Sequence, residues 1–282
     1  MKTHILICDD SLVARKKMAS ALPADWPVQL HFAEDGKQAL AFLQHYGADV
    51  LFLDLNMPEL DGYGVLNEIK KQALPVITVV VSGDIQPEAQ HKVRALGAIG
   101  FINKPIVECE LTQLLTEYGL YRPHTAAPVS HSLPAPANQE LSDTVTLFEY
   151  LQEMANIAMG QASNLLAQLL QVFIHQPIPK VAFIARSELN MAISAIEGNT
   201  DYAAVCQGFV GAGVSGEALL LFTDTNSEQM AKLLHYEDET CSAPEIEVLL
   251  DMSNILFSAF IKGLGEQLDI SFGLGQPHLL AG

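Results

Sequence analysis

DVLFLDLNMPELDG, residues 49–62, decides the fold. An apolar run of strand length ends on an acid, Asp54, and a turn built from Asn, Pro, Asp and Gly follows at once. Four other runs have the same character: HILIC (4–8), VQLHFA (28–33), PVITVVVS (75–82) and IGFIN (99–103). Segments with helical spacing, such as GKQALAFLQHY (36–46) and GYGVLNEIKKQ (62–72), separate them. Strands alternating with helices over the first 120 residues predict an α/β domain, a five-stranded parallel sheet wound with helices on both faces. In such sheets ligands bind at the carboxyl ends of the strands.

Those ends carry the informative residues. Asp9 and Asp10 close the first run, Asp54 the third and Ser82 the fourth, while Lys104 follows the fifth and precedes Pro105. Three carboxylates gathered at one point repel one another unless a divalent cation joins them, and all-oxygen ligands suit Mg²⁺. A lysine and a hydroxyl beside them would neutralise and orient the oxygens of a bound phosphoryl group. Asp54 would then be the nucleophile and become an acyl phosphate. Taken singly, an Asp pair is a helix cap and a Lys-Pro is a turn; the ordered set at successive strand ends is what carries the reading.

CDDS (8–11), LDLNMPELDG (53–62), VSGD (81–84) and GFINKP (100–105) resemble the receiver domain of bacterial response regulators, a flavodoxin-like fold, over about residues 1–120. The resemblance implies that Asp54 is the phospho-acceptor, charged by a histidine kinase. It implies that Asp9, Asp10, Asp54 and the backbone carbonyl of Asn56 bind Mg²⁺. It also implies that Ser82 and Lys104 contact the phosphoryl group and that Phe101 is the aromatic switch residue.

Residues 121–144, with four prolines, read as an extended linker between the 1–120 domain and a second domain over 145–282. The net charge of −18 divides unevenly. Residues 1–122 hold 11 Lys+Arg against 15 Asp+Glu, a net −4, and the remainder 4 against 18, a net −14. Such a surface repels phosphate backbones and anionic membranes, so neither nucleic acid nor membrane is expected as a partner. No apolar run approaches the roughly 18 residues of a span. Cys8, Cys109, Cys206 and Cys241 form no CxxC pair, which fits a reducing cytoplasm. The nine histidines lack HxxxH spacing, so a zinc site is unsupported.

In the second half, EYLQEMAN (149–156) returns as EVLLDMSN (247–254), every position 98 residues on. Glu149, Glu153 and Asn156 stand at i, i+4 and i+7 and share one face of a helix, expected to break or kink near Gly160. Glu247, Asp251 and Asn254 repeat them. Phe148, Leu151, Ala155, Ala158 and Ala162 form the stripe expected to pack inward, echoed by Ile246, Leu249, Leu256 and Phe260 with Ser253 as the exception. Between the copies, VAFIARSELNMAISAIE (181–197) predicts strand pairing, CQGFVGAGVSGEALLLF (206–222) two strands about a glycine-rich turn, and NSEQMAKLLHY (226–236) a short helix. An ExxN alone is ordinarily a solvated helix face. Over 147–179 against 245–277, however, only eight positions are identical, and the asparagine, expected to be exposed, is one of them.

Each asparagine is followed 23 residues later by a proline, Pro179 and Pro277. This pattern, with the VGAGVSGEALLLF segment, resembles the CheC/CheX/FliY family of phosphatases that act on phosphorylated receivers. The resemblance implies an α+β domain with an internal pseudo-twofold repeat. It implies catalytic pairs Glu153/Asn156 and Asp251/Asn254, the acid pairing with a receiver's lysine and the carboxamide holding a water in line with the phospho-aspartate. Asp251 is one methylene shorter than the usual glutamate, and the second copy ends five residues after Pro277. A shortened domain, an incomplete C-terminus or strands from a partner, as in a homodimer, would each account for that. The expected function is a cytoplasmic, chemotaxis-type response regulator hydrolysing phospho-aspartate, on a separate receiver or on itself. The alternative is a non-catalytic adapter of the flagellar-switch kind.

Overall fold

The structure is a computed structural model and describes residues 2–122, 144–188, 191, 202–223 and 245–280. It falls into two compact units, one of residues 1–157 and 176–179, the other of 158–175 and 180–282.

The first unit holds the expected sheet. Strands β1 (Thr3–Cys8), β2 (Val28–Ala33), β3 (Val50–Leu53), β4 (Ile77–Ser82) and β5 (Gly100–Asn103) are all parallel, in the order β2-β1-β3-β4-β5. Helices α1 (Leu12–Ala21), α2 (Gly36–His45), α3 (Gly62–Gln72), α4 (Pro87–Ala95) and α5 (Glu108–Glu117) connect and follow them. The two-residue period of the strands divides the core. Ile5, Ile7, Phe52, Val79 and Val81 join Met18 of α1 and Leu111 and Leu115 of α5 on one face. Leu6, Leu51, Leu53 and Val80 join Leu40, Val65, Leu66 and Val93 of α2, α3 and α4 on the other. Helix starts are fixed by side chains: Ser11, Asp35 and Asp61 accept from the third backbone N–H beyond them.

Gly62 is required by space. A Cβ there would lie 2.3 Å from the carbonyl oxygen of Asp54 and 2.8 Å from Cα of Leu55. Backbone cannot yield as a side chain would, so Gly62→Ala should lower the unfolding free energy by about 2 kcal/mol, read as a lower urea midpoint.

The expected linker boundary needs correction. Tyr121 is buried, packs with Trp26 in the core and donates its hydroxyl to Asp25, so the first domain extends past residue 120. Residues 123–143 lie outside the described part.

Helix α6 spans Leu147–Leu170. The break expected near Gly160 is absent, because strong helix formers (Met, Ala, Gln, Leu) flank that one glycine. Thr146 and Glu149 form a capping box at its start: Glu149 N–H donates to Thr146 Oγ1 at 3.2 Å and Thr146 N–H to Glu149 Oε2 at 2.7 Å.

The second unit is α+β. Strands β6 (Tyr202–Gly211) and β7 (Val214–Thr223) form the expected hairpin, closed by two left-handed residues, Ala212 (φ 47°) and Gly213 (φ 80°). The short strands β8 (Gly273–Leu274) and β9 (His278–Leu280) pair with the other edge of β6. Helix α7 (Glu245–Leu268) is the second long helix. Leu166 and Leu170 of α6 meet Met252 of α7, and Val205 of β6 meets Leu249 and Phe257. At Gly263 the helices come so close that a Cβ would sit 3.1 Å from Cα of Ala158.

Several expectations for this half change. Residues 181–185 have no regular structure and 186–188 are helical, against the strands expected at 181–197; the rest of that segment apart from residue 191 lies outside the described part, together with 226–236. The inward stripe of α7 is Val248, Leu249, Met252, Ser253, Phe257 and Ile261, whereas Ile246 is 50% exposed. Ser253 belongs to that stripe because its hydroxyl donates to the Leu249 carbonyl at 2.7 Å and leaves nothing unpaired. The expected stripe of α6 holds for Ala155, Ala158 and Ala162, while Phe148 and Leu151 are half-buried. Among the described residues one helix, Ile246–Leu268, meets the length and composition of a membrane span, with a mean hydropathy of 1.4, contrary to the reading of apolar runs alone. Its apolar residues point several ways, and those just named form core.

Candidate functional site

Backbone hydrogen bonds carry the sheet one residue past its formal ends and so align the site. Asp9 N–H donates to Ala33 O at 3.2 Å, Asp54 N–H to Cys8 O at 2.9 Å and Lys104 N–H to Ser82 O at 2.9 Å. Four neighbouring strands thereby deliver Asp9, Asp10, Asp54, Ser82 and Lys104 to one point at the carboxyl edge. Lys104 is in contact with Asp9 (Nζ to Oδ2, 2.7 Å) and Asp54 (Nζ to Oδ1, 3.2 Å). Asn56 N–H donates to Asp54 Oδ2 at 3.0 Å, and the Ser82 hydroxyl, fully buried, accepts from Asp84 N–H. Phe101 is half-buried against the cluster on the α2, α3, α4 face.

Burial controls the charges here. It pushes Asp9, Asp10 and Asp54 up, Asp10 to about 6, and the mutual repulsion of the carboxylates adds to it while Lys104 pulls the other way. Burial pulls Lys104 down, but Asp54, Asp9 and Glu153 together outweigh it and hold the ammonium well above its ordinary range. The cluster is short of positive charge. Carboxylate oxygens of Asp9, Asp10 and Asp54 lie within 4.8 Å of one another, close enough for a small shift to bring them onto one divalent cation, and an all-oxygen donor set is the kind that Mg²⁺ takes. These residues fit Mg²⁺.

Sequence reading missed Arg15. Its guanidinium, buried under the loop, donates to the carbonyls of Asp9 (2.7 Å) and Asp10 (3.2 Å) and pairs with Glu34 at 2.9 Å. A lone arginine in LVARKKM gives no advance sign of that.

The first unit also places α6 at this cluster. Glu153 Oε1 lies 3.5 Å from Lys104 Nζ, and Glu153 is 3% exposed. Asn156, expected to be exposed, is 7% exposed. The polar face of the helix is covered because it meets the strand ends: a Cβ on Gly83, next to Ser82, would lie 3.4 Å from the carbonyl oxygen of Asn156. A cavity of about 90 Å³ is lined by Asp10, Ser11, Glu149, Glu153, Asn156 and Pro179, which gathers the acids, the asparagine and the proline singled out in the repeat. Gln176 lies behind it and donates to Asn156, a contact nothing in the sequence announced. In the second unit Glu247, Asp251 and Asn254 are exposed, and none of them belongs to a group of three metal-ligating side chains among the described residues.

Residues 5–116 match the profile of the response regulator receiver domain. This part of the chain is a receiver domain of two-component signalling. The receiver is 36% identical over 104 residues to protein-glutamate methylesterase/protein-glutamine glutaminase 3 of Rhodospirillum rubrum, covering 36% of this chain and 28% of that protein. The chain is 35% identical over 140 residues to protein-glutamate methylesterase/protein-glutamine glutaminase 5 of Myxococcus xanthus, covering 48% of this chain and 40% of that protein. Among solved structures it is similar to the response regulator domain of Thermotoga maritima CheB, at 26% identity over 44% of this chain and 100% of that one, with a TM-score of 0.38. The chain thus spans 28% to 40% of the length of these two curated relatives.

Proposed function

We propose that this chain is a chemotaxis-type response regulator that removes the phosphoryl group from its own Asp54, with α6 as the hydrolytic element. The observation that carries this reading is Glu153 held 3.5 Å from Lys104, with Asn156 one turn further along the same helix. In this reading a histidine kinase or a small acyl phosphate charges Asp54. Asp9, Asp10 and Asp54, with the carbonyl of Asn56, would hold Mg²⁺, which supplies positive charge to the phosphoryl oxygens. Lys104 and the Ser82 hydroxyl hold the remaining phosphoryl oxygens, and Glu153 fixes the ammonium of Lys104 in place. Asn156 holds a water in line with the phosphorus. Attack by the water oxygen breaks the bond from phosphorus to the Asp54 oxygen, restoring the carboxylate and releasing inorganic phosphate. An acyl phosphate is already activated, so a neutral carboxamide that orients water suffices and no strong base is needed.

With α6 in place Asp54 is 1% exposed, so a phosphodonor gains access as Glu153 leaves Lys104. Charging and hydrolysis then belong to two positions of one helix. The exposure of Asp251 and Asn254 supports a second reading, action on a separate receiver by the α7 face.

Charging the full chain with acetyl phosphate and Mg²⁺, removing the donor and following phosphate release tests the proposal. Glu153→Ala should slow release about tenfold or more, whereas Asn254→Ala should leave it within twofold of wild type. Equal release from wild type and Glu153→Ala would favour the adapter.

A further inference from the structure

A carboxamide can present its oxygen or its nitrogen to a site, and the two are nearly the same size, so hydrogen bonds alone decide between them. Gln176 Nε2 lies 3.1 Å from the main-chain oxygen of Asn156 and 3.0 Å from its side-chain Oδ1. The main-chain carbonyl only accepts, so the glutamine atom against it is the NH₂ group. Its second hydrogen then requires an oxygen on the asparagine side chain. The orientation of Gln176 is set by backbone, and the orientation of Asn156 is set by Gln176.

The second unit contains the same device. Gln207 Nε2 donates to the main-chain oxygen of Gly275 at 2.7 Å and to Asn254 Oδ1 at 3.2 Å. The two glutamines do not correspond in the repeat: Gln176 comes 20 residues after its asparagine and Gln207 comes 47 before its own, from β6. Duplication therefore does not explain the likeness. Both are nearly fully buried, 4% and 1% exposed, and the Oε1 of each accepts no hydrogen bond among the described residues. In each case the NH₂ group is committed to a main-chain carbonyl and to the asparagine Oδ1.

We propose that Gln176 and Gln207 are positioning residues that fix the carboxamides of Asn156 and Asn254, leaving Nδ2 and the second lone pair of Oδ1 for water and a phosphoryl oxygen. The proposal rests on the reading of Asn156 as the residue that holds the attacking water.

The test uses the full chain charged with acetyl phosphate and Mg²⁺, in wild type, Gln176→Met, Gln176→Glu and Asn156→Ala. Gln176→Met keeps the length but has no donor, and phosphate release should slow tenfold or more. Gln176→Glu sets a carboxylate against two acceptors at pH 8 but regains a donor when protonated. Its rate relative to wild type should rise at least fivefold between pH 8 and pH 5.5, while the Gln176→Met ratio stays flat. Asp10, Glu149 and Glu153 line the cavity and His175 adjoins Gln176; all are present in wild type and in each variant, so rates are compared as ratios to wild type. Loss of packing alone would slow both variants with no recovery at low pH, and that result overturns the proposal. So does a Gln176→Met rate within twofold of wild type when Asn156→Ala is slow. If Asn156→Ala itself releases phosphate at the wild-type rate, the reading of Asn156 fails and this inference fails with it.

Discussion

Asn156→Ala should lengthen the life of the phosphoryl group on Asp54 about 100-fold, equivalent to about 2.7 kcal/mol of barrier. The size follows from what the side chain would do. Hydrolysis of an acyl phosphate needs a water held in line, and alanine leaves that water to find its place unaided. Charging should be unaffected, because Asn156 touches none of Asp9, Asp54 or Lys104 in the contacts described. The fold should survive as well, since Gln176 keeps its bond to the main-chain oxygen at position 156. Phosphate release from the charged, donor-free chain measures the effect. A change of less than threefold would remove Asn156 from the chemistry.

The second large effect concerns the acid cluster. Asp10→Asn should stabilise the metal-free chain at pH 7 by about 3 kcal/mol, the cost of holding ionised a carboxyl raised from 3.8 to about 6. The sign follows from the folded state binding the proton more tightly than the unfolded chain. The stability contributed by the protonated Asp10 is fully present below about pH 4 and lost as pH rises through 6. Asp9 and Asp54, also raised by burial, act in the same direction. Metal-free wild type should therefore unfold at higher urea at pH 5 than at pH 7, and Asp10→Asn should flatten that slope. Saturating Mg²⁺ should restore the wild type at pH 7 and do much less for Asp10→Asn. Destabilisation by Asp10→Asn at pH 7 without cation would show that the cluster is not short of positive charge.

The receiver was legible because its chemistry is local to strand ends: each of Asp9, Asp54, Ser82 and Lys104 follows an apolar run whose length and period give the strand. The hairpin of β6 and β7 was legible for a similar reason, the glycine-rich turn between two apolar runs. The cover over Glu153 and Asn156 was not, since a polar helix face looks the same in sequence whether it meets water or Lys104. Gln176 and Gln207 were invisible for a related reason. They come from a loop and a strand, and their value lies in a main-chain carbonyl that has no letter in the sequence. Ile246 misled because apolar spacing fixes the period of a helix, not which side of the stripe turns inward. The TxxE at 146–149 could have been read as a capping box and would have set the start of α6 and given Glu149 a structural role.

Hydrolysis within one chain is tested most directly by mixing. Asn156→Ala, charged on Asp54 and freed of donor, is combined with a tenfold excess of uncharged Asp54→Asn, which cannot be phosphorylated but carries an intact α6 face. The charged variant should keep its slow, concentration-independent decay, while charged wild type alone decays about 100-fold faster at every dilution. Decay of the charged variant that accelerates in proportion to added Asp54→Asn would place hydrolysis between chains rather than within one.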